Sequence, residues 1–79
     1  MRRQSHDKLH IELRKELKRI RETAGLSQET LAERLGTKQN FISKYERGER
    51  TLDFIEVLQV CKACGYDPAM LIRTIDEVT

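Results

Sequence analysis

Residues 25–50 decide the fold, and they read GLSQETLAERLGTKQNFISKYERGER. Ser27 is a favoured helix N-cap and Gly36 a favoured stop, so a helix of about two turns is predicted between them. A second short helix is predicted over residues 38–47, with Thr37 as its N-cap. Two short helices joined by a turn that contains Gly form a helix-turn-helix, although many all-helical proteins contain such a corner.

The second of these helices has an apolar side and a side that can form hydrogen bonds. Its apolar residues are Ile42 and Tyr45, with Phe41 beside them. Its polar residues are Lys38, Gln39, Asn40, Ser43, Lys44 and Arg47. Amides can bond adenine at two points, and Arg or Lys can do the same for guanine. The pattern is therefore typical of a helix that enters the DNA major groove, and the alternative is a solvated polar face.

Three further amphipathic helices are predicted around this pair. The first covers residues 7–23, and its apolar face consists of Leu9, Leu13, Leu17, Ile20 and Ala24. The fourth begins at the capping-box pair Asp53 and Glu56, and its apolar residues are Phe54, Val57, Leu58, Cys61 and Cys64. The fifth begins at Asp67-Pro68, and its apolar residues are Met70, Leu71, Ile75 and Val78. The predicted fold class is all-α, with five helices in a single domain over residues 1–79.

Composition argues against an enzyme and against a membrane protein. A chain of 79 residues has little room for a catalytic cavity, and it carries no Gly-rich phosphate loop and no nucleophile–base signature. No stretch approaches the roughly 20 apolar residues of a membrane span, and the polar N-terminus is unlike a signal peptide. We therefore expect a cytoplasmic protein with reduced thiols and no cofactor.

Charge is distributed unevenly along the chain. Residues 1–21 hold eight Lys or Arg against three Asp or Glu, whereas residues 51–79 hold two against five. This uneven charge suits a protein with one face that contacts phosphates and a second face that does not. A mixed solvated surface is the alternative. Residues 1–6 are expected to form a flexible basic arm in which Arg2 and Arg3 could reach a phosphate.

The runs GLSQETLAERLG (residues 25–36) and ISKYERGER (residues 42–50) closely resemble the lambda-repressor/Cro-like (XRE-type) DNA-binding family. The resemblance covers about residues 13–66 and implies a lambda-repressor-like fold in which the third helix reads DNA. It implies DNA contacts by Gln28, Lys38, Gln39, Asn40, Ser43, Lys44, Arg47 and Arg50. Gln28 would bond a phosphate and steady the first recognition residue, and Gln39 and Asn40 would contact base edges. Arg21 and Glu46 match a partly buried ion pair of structural role.

Two other pairs of residues could suggest a metal site. Cys61 and Cys64 form a C-x-x-C motif without the two further ligands that zinc needs, so core thiols are favoured over a redox switch. His6 and His10 are four residues apart without an evident third ligand, which favours a solvated pair. No metal is expected.

The resulting hypothesis is a repressor that binds an inverted-repeat operator in double-stranded DNA as a homodimer. The fifth helix is the expected dimer element, through Met70, Leu71 and Ile75. The alternative is an antitoxin that binds a toxin protein as well as its own operator. A controller of a restriction-modification operon is a third interpretation, and a protein-only adaptor is disfavoured because Gln28, Gln39 and Asn40 would have no purpose in it.

Overall fold

The computed structural model describes residues 7–79, so the predictions for the arm at residues 1–6 and for His6 lie outside the described residues. The described chain forms five helices and no strand. They are α1 (Lys8–Thr23), α2 (Gln28–Leu35), α3 (Gln39–Glu46), α4 (Phe54–Ala63) and α5 (Pro68–Glu77). The all-α, five-helix prediction is confirmed.

Local capping sets most of the helix starts. Asp7, Ser27 and Asp67 each accept a hydrogen bond from a backbone N–H in the first turn of the helix that follows. At α4 the full capping box is present, because Asp53 and Glu56 each accept a hydrogen bond from the other's backbone N–H. The predicted cap by Thr37 is wrong. The chain is still extended at the next residue, so α3 begins one residue later and has no side-chain cap.

One core holds the helices together. α1 packs on α3, α4 and α5, whereas α2 packs on α3 and α4. The core consists of Leu17, Ile20, Leu26, Leu31, Ala32, Ile42, Tyr45, Val60, Cys61 and Leu71. Burying such side chains is the main stabilising term in a domain this small. The outer side of α3 is thereby left free for other contacts.

The apolar face of α4 differs from its prediction at two positions. Phe54 was expected to face inward, yet 62% of it is exposed. Val60, which was not among the predicted apolar residues, is fully buried. Phe54 lies at the first position of α4, where the helix has only begun to pack on the core. No helix among residues 7–79 has both the length and the hydropathy needed to cross a membrane.

Candidate nucleic-acid interface

The residues predicted to contact DNA all lie at the start of α2, at the N-cap of α3, along α3 or in the loop that follows α3. Six of them are exposed: Lys38, Gln39, Asn40, Lys44, Arg47 and Arg50. Gln28 and Ser43 are partly exposed. α3 packs its other side, through Ile42 and Tyr45, into the core. We call the outward side of α3, with Gln28 and the following loop through Arg50, the recognition surface.

A chain of side-chain hydrogen bonds links Gln39 to the interior. Gln39 Nε2 donates to Gln28 Oε1 at 3.2 Å. Gln28 Nε2 in turn donates to Glu46 Oε1 at 2.9 Å. The first side chain of α3 is therefore positioned before any DNA is present, and it is held from the first residue of α2.

Glu46 is itself fixed by a buried ion pair with Arg21. Arg21 Nε lies 2.7 Å from Glu46 Oε2, and Arg21 Nη2 lies 3.1 Å from Glu46 Oε1. The two side chains are only 9% and 5% exposed. The hydrogen bonds that Arg21 donates to Glu46 raise the pKa of Arg21, so the guanidinium stays charged. Arg21 Nη1 also donates to the Leu26 carbonyl at 2.7 Å, so this pair joins α1, the turn before α2, and α3.

Arg47 is engaged at the far end of the recognition surface. Its Nε and Nη2 donate to the two carboxylate oxygens of Glu49 at 2.7 and 3.1 Å. Its Nη1 donates to Ser43 Oγ at 3.3 Å. A phosphate that binds this guanidinium must therefore compete with a carboxylate of the same chain.

Arg50 is positioned by an aromatic ring and a carboxylate. Its guanidinium carbon lies 4.8 Å from the ring centroid of Phe41, within the range of a cation–π contact. Its Nη2 donates to Glu56 Oε2 at 2.6 Å. The other oxygen of Glu56 accepts the capping hydrogen bond at the start of α4. The orientation of Arg50 is thus coupled to α3 on one side and to α4 on the other.

The remaining polar side chains of the surface make no such contacts. Within residues 7–79, no hydrogen bond or ion pair involves the side chains of Lys38, Asn40 or Lys44. Sequence reasoning did not identify Glu49 as a partner of Arg47, or Glu56 as a partner of Arg50. The sequence marked Glu56 only as a capping residue, and it held no signal for Glu49.

A second surface of the chain is apolar. Its exposed large side chains are Phe54, Ile55, Met70, Ile72 and Val78. A groove of about 420 Å³ lies between α1, the start of α4 and α5, and Phe54, Ile72 and Ile75 are among its lining residues. We call these exposed residues and the groove the α4–α5 surface.

One predicted dimerisation residue is corrected by this arrangement. Leu71 is only 2% exposed, because it packs into the core of its own chain. Leu71 therefore has almost no surface left for a contact with a partner. Met70 is 51% exposed, whereas Ile75 is partly buried against the core and lines the groove. Ile72, which was not predicted, is as exposed as Met70.

The two thiols of α4 belong to the packed interior. Cys61 is fully buried, and Cys64 is partly buried against the core. Burial raises the pKa of the Cys61 thiol to about 11 and also raises the pKa of Cys64. Both are free thiols. Among the described residues, no group of three or more His, Cys, Asp or Glu could hold a metal ion.

With the geometry in place, comparison with known proteins identifies the family. Residues 17–71, well over half of the chain, match the model of the helix-turn-helix family. The chain belongs to the helix-turn-helix family. An uncharacterised HTH-type transcriptional regulator of Sinorhizobium fredii, y4dJ, is 34% identical over 59 residues, which cover 75% of this chain and 77% of that protein.

Solved structures of helix-turn-helix proteins place the chain in the XRE group. An XRE-family-like protein from Pseudomonas syringae pv. tomato is 39% identical, with a TM-score of 0.88 over 94% of this chain and 90% of that one. The restriction-modification controller protein C.AhdI from Aeromonas hydrophila is 31% identical, with a TM-score of 0.70 over 77% of this chain and 92% of that one. This helix-turn-helix protein is accordingly an XRE-type DNA-binding transcriptional regulator, and the family is not one of enzymes.

Proposed function

We propose that this regulator represses transcription by binding an inverted-repeat operator as a homodimer, with α3 in the major groove. The observation that carries the proposal is the arrangement of Gln39, which is exposed at the start of α3 and held there by Gln28. A side chain that reads a base must be oriented for two hydrogen bonds, and fixing it beforehand lowers the entropy cost of binding.

The polar residues divide into base readers and backbone contacts in this proposal. Gln39 and Asn40 would bond adenine edges, and Lys44, one turn further along α3, would reach a guanine or a neighbouring phosphate. Gln28 would bond a phosphate at the N-terminus of α2, where free N–H groups favour an anion. Lys38, Arg47 and Arg50 would contact the DNA backbone and set the register of α3 in the groove.

The α4–α5 surface supports the homodimer. One helix-turn-helix reads a short half-site, and two half-sites about 34 Å apart require two copies of the chain. Phe54, Ile55 and Ile72 are more than half exposed, and Phe54 and Ile72 line one groove. A contiguous exposed apolar surface of this kind is typical of an interaction site. Met70 is exposed on the same helix as Ile72, so the fifth helix remains our proposed dimer element, with Ile72 in place of Leu71.

Selection from a randomised DNA pool, followed by affinity measurements at several salt concentrations, tests the proposal. We expect a palindromic site, and we expect Gln39→Ala to lose about 1–3 kcal/mol of discrimination at one base pair of each half-site. Lys44→Ala should instead weaken binding to all sequences and flatten the salt dependence if Lys44 contacts phosphate. Enrichment of no site, with only weak and salt-sensitive binding, would overturn the proposal of repression at a specific operator.

A controller of a restriction-modification operon is the second candidate, and the 31% identity to C.AhdI favours it. The operator and the dimer would be the same in both cases, so DNA selection does not separate them. The neighbouring genes do, because a controller lies beside an endonuclease or a methylase. An antitoxin would lie beside a toxin gene, and its α4–α5 surface would bind the toxin protein.

A further inference from the structure

The turn that ends α3 brings a negative charge onto the recognition surface. Gly48 has a φ of +81°, in the left-handed region that favours glycine. This conformation folds the chain back, so that the Glu49 N–H donates to the Lys44 carbonyl at 2.8 Å. The backbone of Glu49 is therefore fixed beside the last turn of α3, among residues that we assign to DNA contact.

The carboxylate of Glu49 fills the guanidinium fork of Arg47. It accepts from Nε and Nη2 at 2.7 and 3.1 Å, which is a bidentate pair. Arg47 is on the recognition surface itself, because its Nη1 donates to Ser43 Oγ one turn earlier on α3. Both charged side chains are exposed, at 57% and 54%, so the pair can open without leaving a buried charge behind.

A DNA phosphate and this carboxylate would use the same donors. Arginine binds carboxylate and phosphate with the same bidentate geometry. The hydrogen bonds from Arg47, and to a lesser degree the charge of Lys44, lower the pKa of Glu49, so the carboxylate is ionised at neutral pH. Arg47 and Glu49 together carry no net charge, so in this state the pair adds little to the attraction for DNA.

We infer that Glu49 is an affinity-setting residue that competes with DNA phosphate for Arg47 and lowers binding to every sequence. The inference rests on the proposed function, since it assumes that the recognition surface meets DNA. A phosphate can bind Arg47 only when Glu49 leaves, and the displaced carboxylate then lies near the phosphates as a like charge. Phosphate attraction is independent of sequence, so Glu49 limits the time that the protein spends on DNA outside its operator.

The variant Glu49→Gln tests this with one atom changed. Freeing one cation per protomer should steepen the slope of log K against log salt by about 0.9 per protomer and raise affinity roughly eightfold per protomer at 0.1 M salt. The gain should be the same, within about twofold, for the selected operator and for a scrambled duplex, because each phosphate contact is sequence-independent.

Glu16→Gln is the matched control. Glu16 also binds an arginine, since Arg19 Nε and Nη2 donate to Glu16 Oε1 at 3.1 and 2.9 Å. Arg19 lies on α1 and extends over the ring of Tyr66, away from the recognition surface. The same loss of one charge there should leave DNA affinity and salt slope unchanged.

A double-mutant cycle with Arg47→Gln assigns the effect to the pair. In the Arg47→Gln background, Glu49→Gln should raise affinity clearly less than it does in the wild type, because it then removes an unpaired carboxylate but frees no cation. An equal gain in the two backgrounds would overturn competition for Arg47, and so would a Glu49→Gln variant that behaves like Glu16→Gln. These results leave the proposed function standing, because the wild type still binds its operator. Failure of the wild type to bind any duplex would overturn the proposed function and this inference together.

Discussion

The recognition surface and the α4–α5 surface are built in opposite ways. On the recognition surface, Gln39 is bonded to Gln28, and that chain of contacts continues through Glu46 to Arg21 in the interior. On the α4–α5 surface, Phe54 and four other large apolar side chains are exposed, and specific polar contacts do not hold them. Hydrogen bonds fix the side chains of the recognition surface, whereas the α4–α5 surface exposes apolar area that a partner could cover.

The difference shows what each surface needs from a partner. Base edges reward exact placement of donors and acceptors, so a side chain that is already placed loses less entropy on binding. Apolar association depends on the area removed from water and tolerates side-chain adjustment.

The largest expected effect is a loss of stability when the ion pair at the interior end of the recognition surface is broken. Arg21→Met leaves the Glu46 carboxylate buried without its cation, which should cost about 3–5 kcal/mol of unfolding free energy. Glu46 also holds Gln28, so operator binding should weaken beyond what the loss of folded protein explains. Urea unfolding and operator titration below the transition measure the two effects.

Arg19→Met is the control for that substitution. Arg19 forms an exposed pair with Glu16, so its loss should cost less than about 1 kcal/mol. Equal destabilisation by the two variants would mean that the buried pair has no special role. Unchanged operator affinity in Arg21→Met would mean that the interior does not position Gln28.

The next effect concerns the α4–α5 surface. Ile72→Lys places a charge within the proposed dimer contact, and Ile72 is exposed, so the fold should persist. We expect a monomer by sedimentation and a loss of operator affinity of about 100-fold or more, because the second half-site no longer binds in the same complex. The hydrogen bonds of the recognition surface should stay intact.

Glu77→Lys introduces the same side chain at a position of α5 that is already polar, and it should remain a dimer. If Ile72→Lys is still dimeric, the dimer forms elsewhere. If it is monomeric but binds the operator as the wild type does, a single copy suffices for recognition.

The smallest effect is a pH dependence from the interior beneath the α4–α5 surface. Folding raises the pKa of Cys61 from 9.0 to about 11, so the folded state holds its proton more tightly. The stabilisation is full below pH 9 and is lost as the pH rises through 11. The unfolding free energy of the wild type should therefore fall more steeply between pH 9 and 11 than that of Cys61→Ala. Parallel curves would show that this thiol makes no contribution.

Local signals predicted the helices well because they act within a few residues. The cap at Ser27, the capping box at Asp53 and the Asp67-Pro68 start all depend on side chains next to the backbone groups they bond. Thr37 misled for the same reason. It is a good cap residue, but the chain is still extended at Lys38, so the first turn begins at Gln39 without a side-chain cap.

Partners distant in sequence were harder to predict. The amphipathic pattern of α5 marked Leu71 as apolar, but it could not tell a residue used by its own core from one left for a partner. The Arg21–Glu46 pair was available only through the family resemblance, because its members are 25 residues apart. Arg47 pairs with Glu49, and Arg50 pairs with Glu56. These pairings depend on turn geometry that the sequence spacing of the residues does not determine.

The conformation of Gly48, just after α3, determines what a missense mutation of its codon would do. A Cβ at this residue would lie 2.6 Å from the Arg14 guanidinium, in addition to the strain of a φ of +81°. At Gly36 a Cβ would meet nothing within 4 Å. Every single-base missense change of a glycine codon introduces a Cβ, so each one at codon 48 strains the turn that ends α3 and displaces the Arg14 guanidinium. A loss-of-repression allele at codon 48 would therefore report on backbone geometry and not on a lost DNA contact.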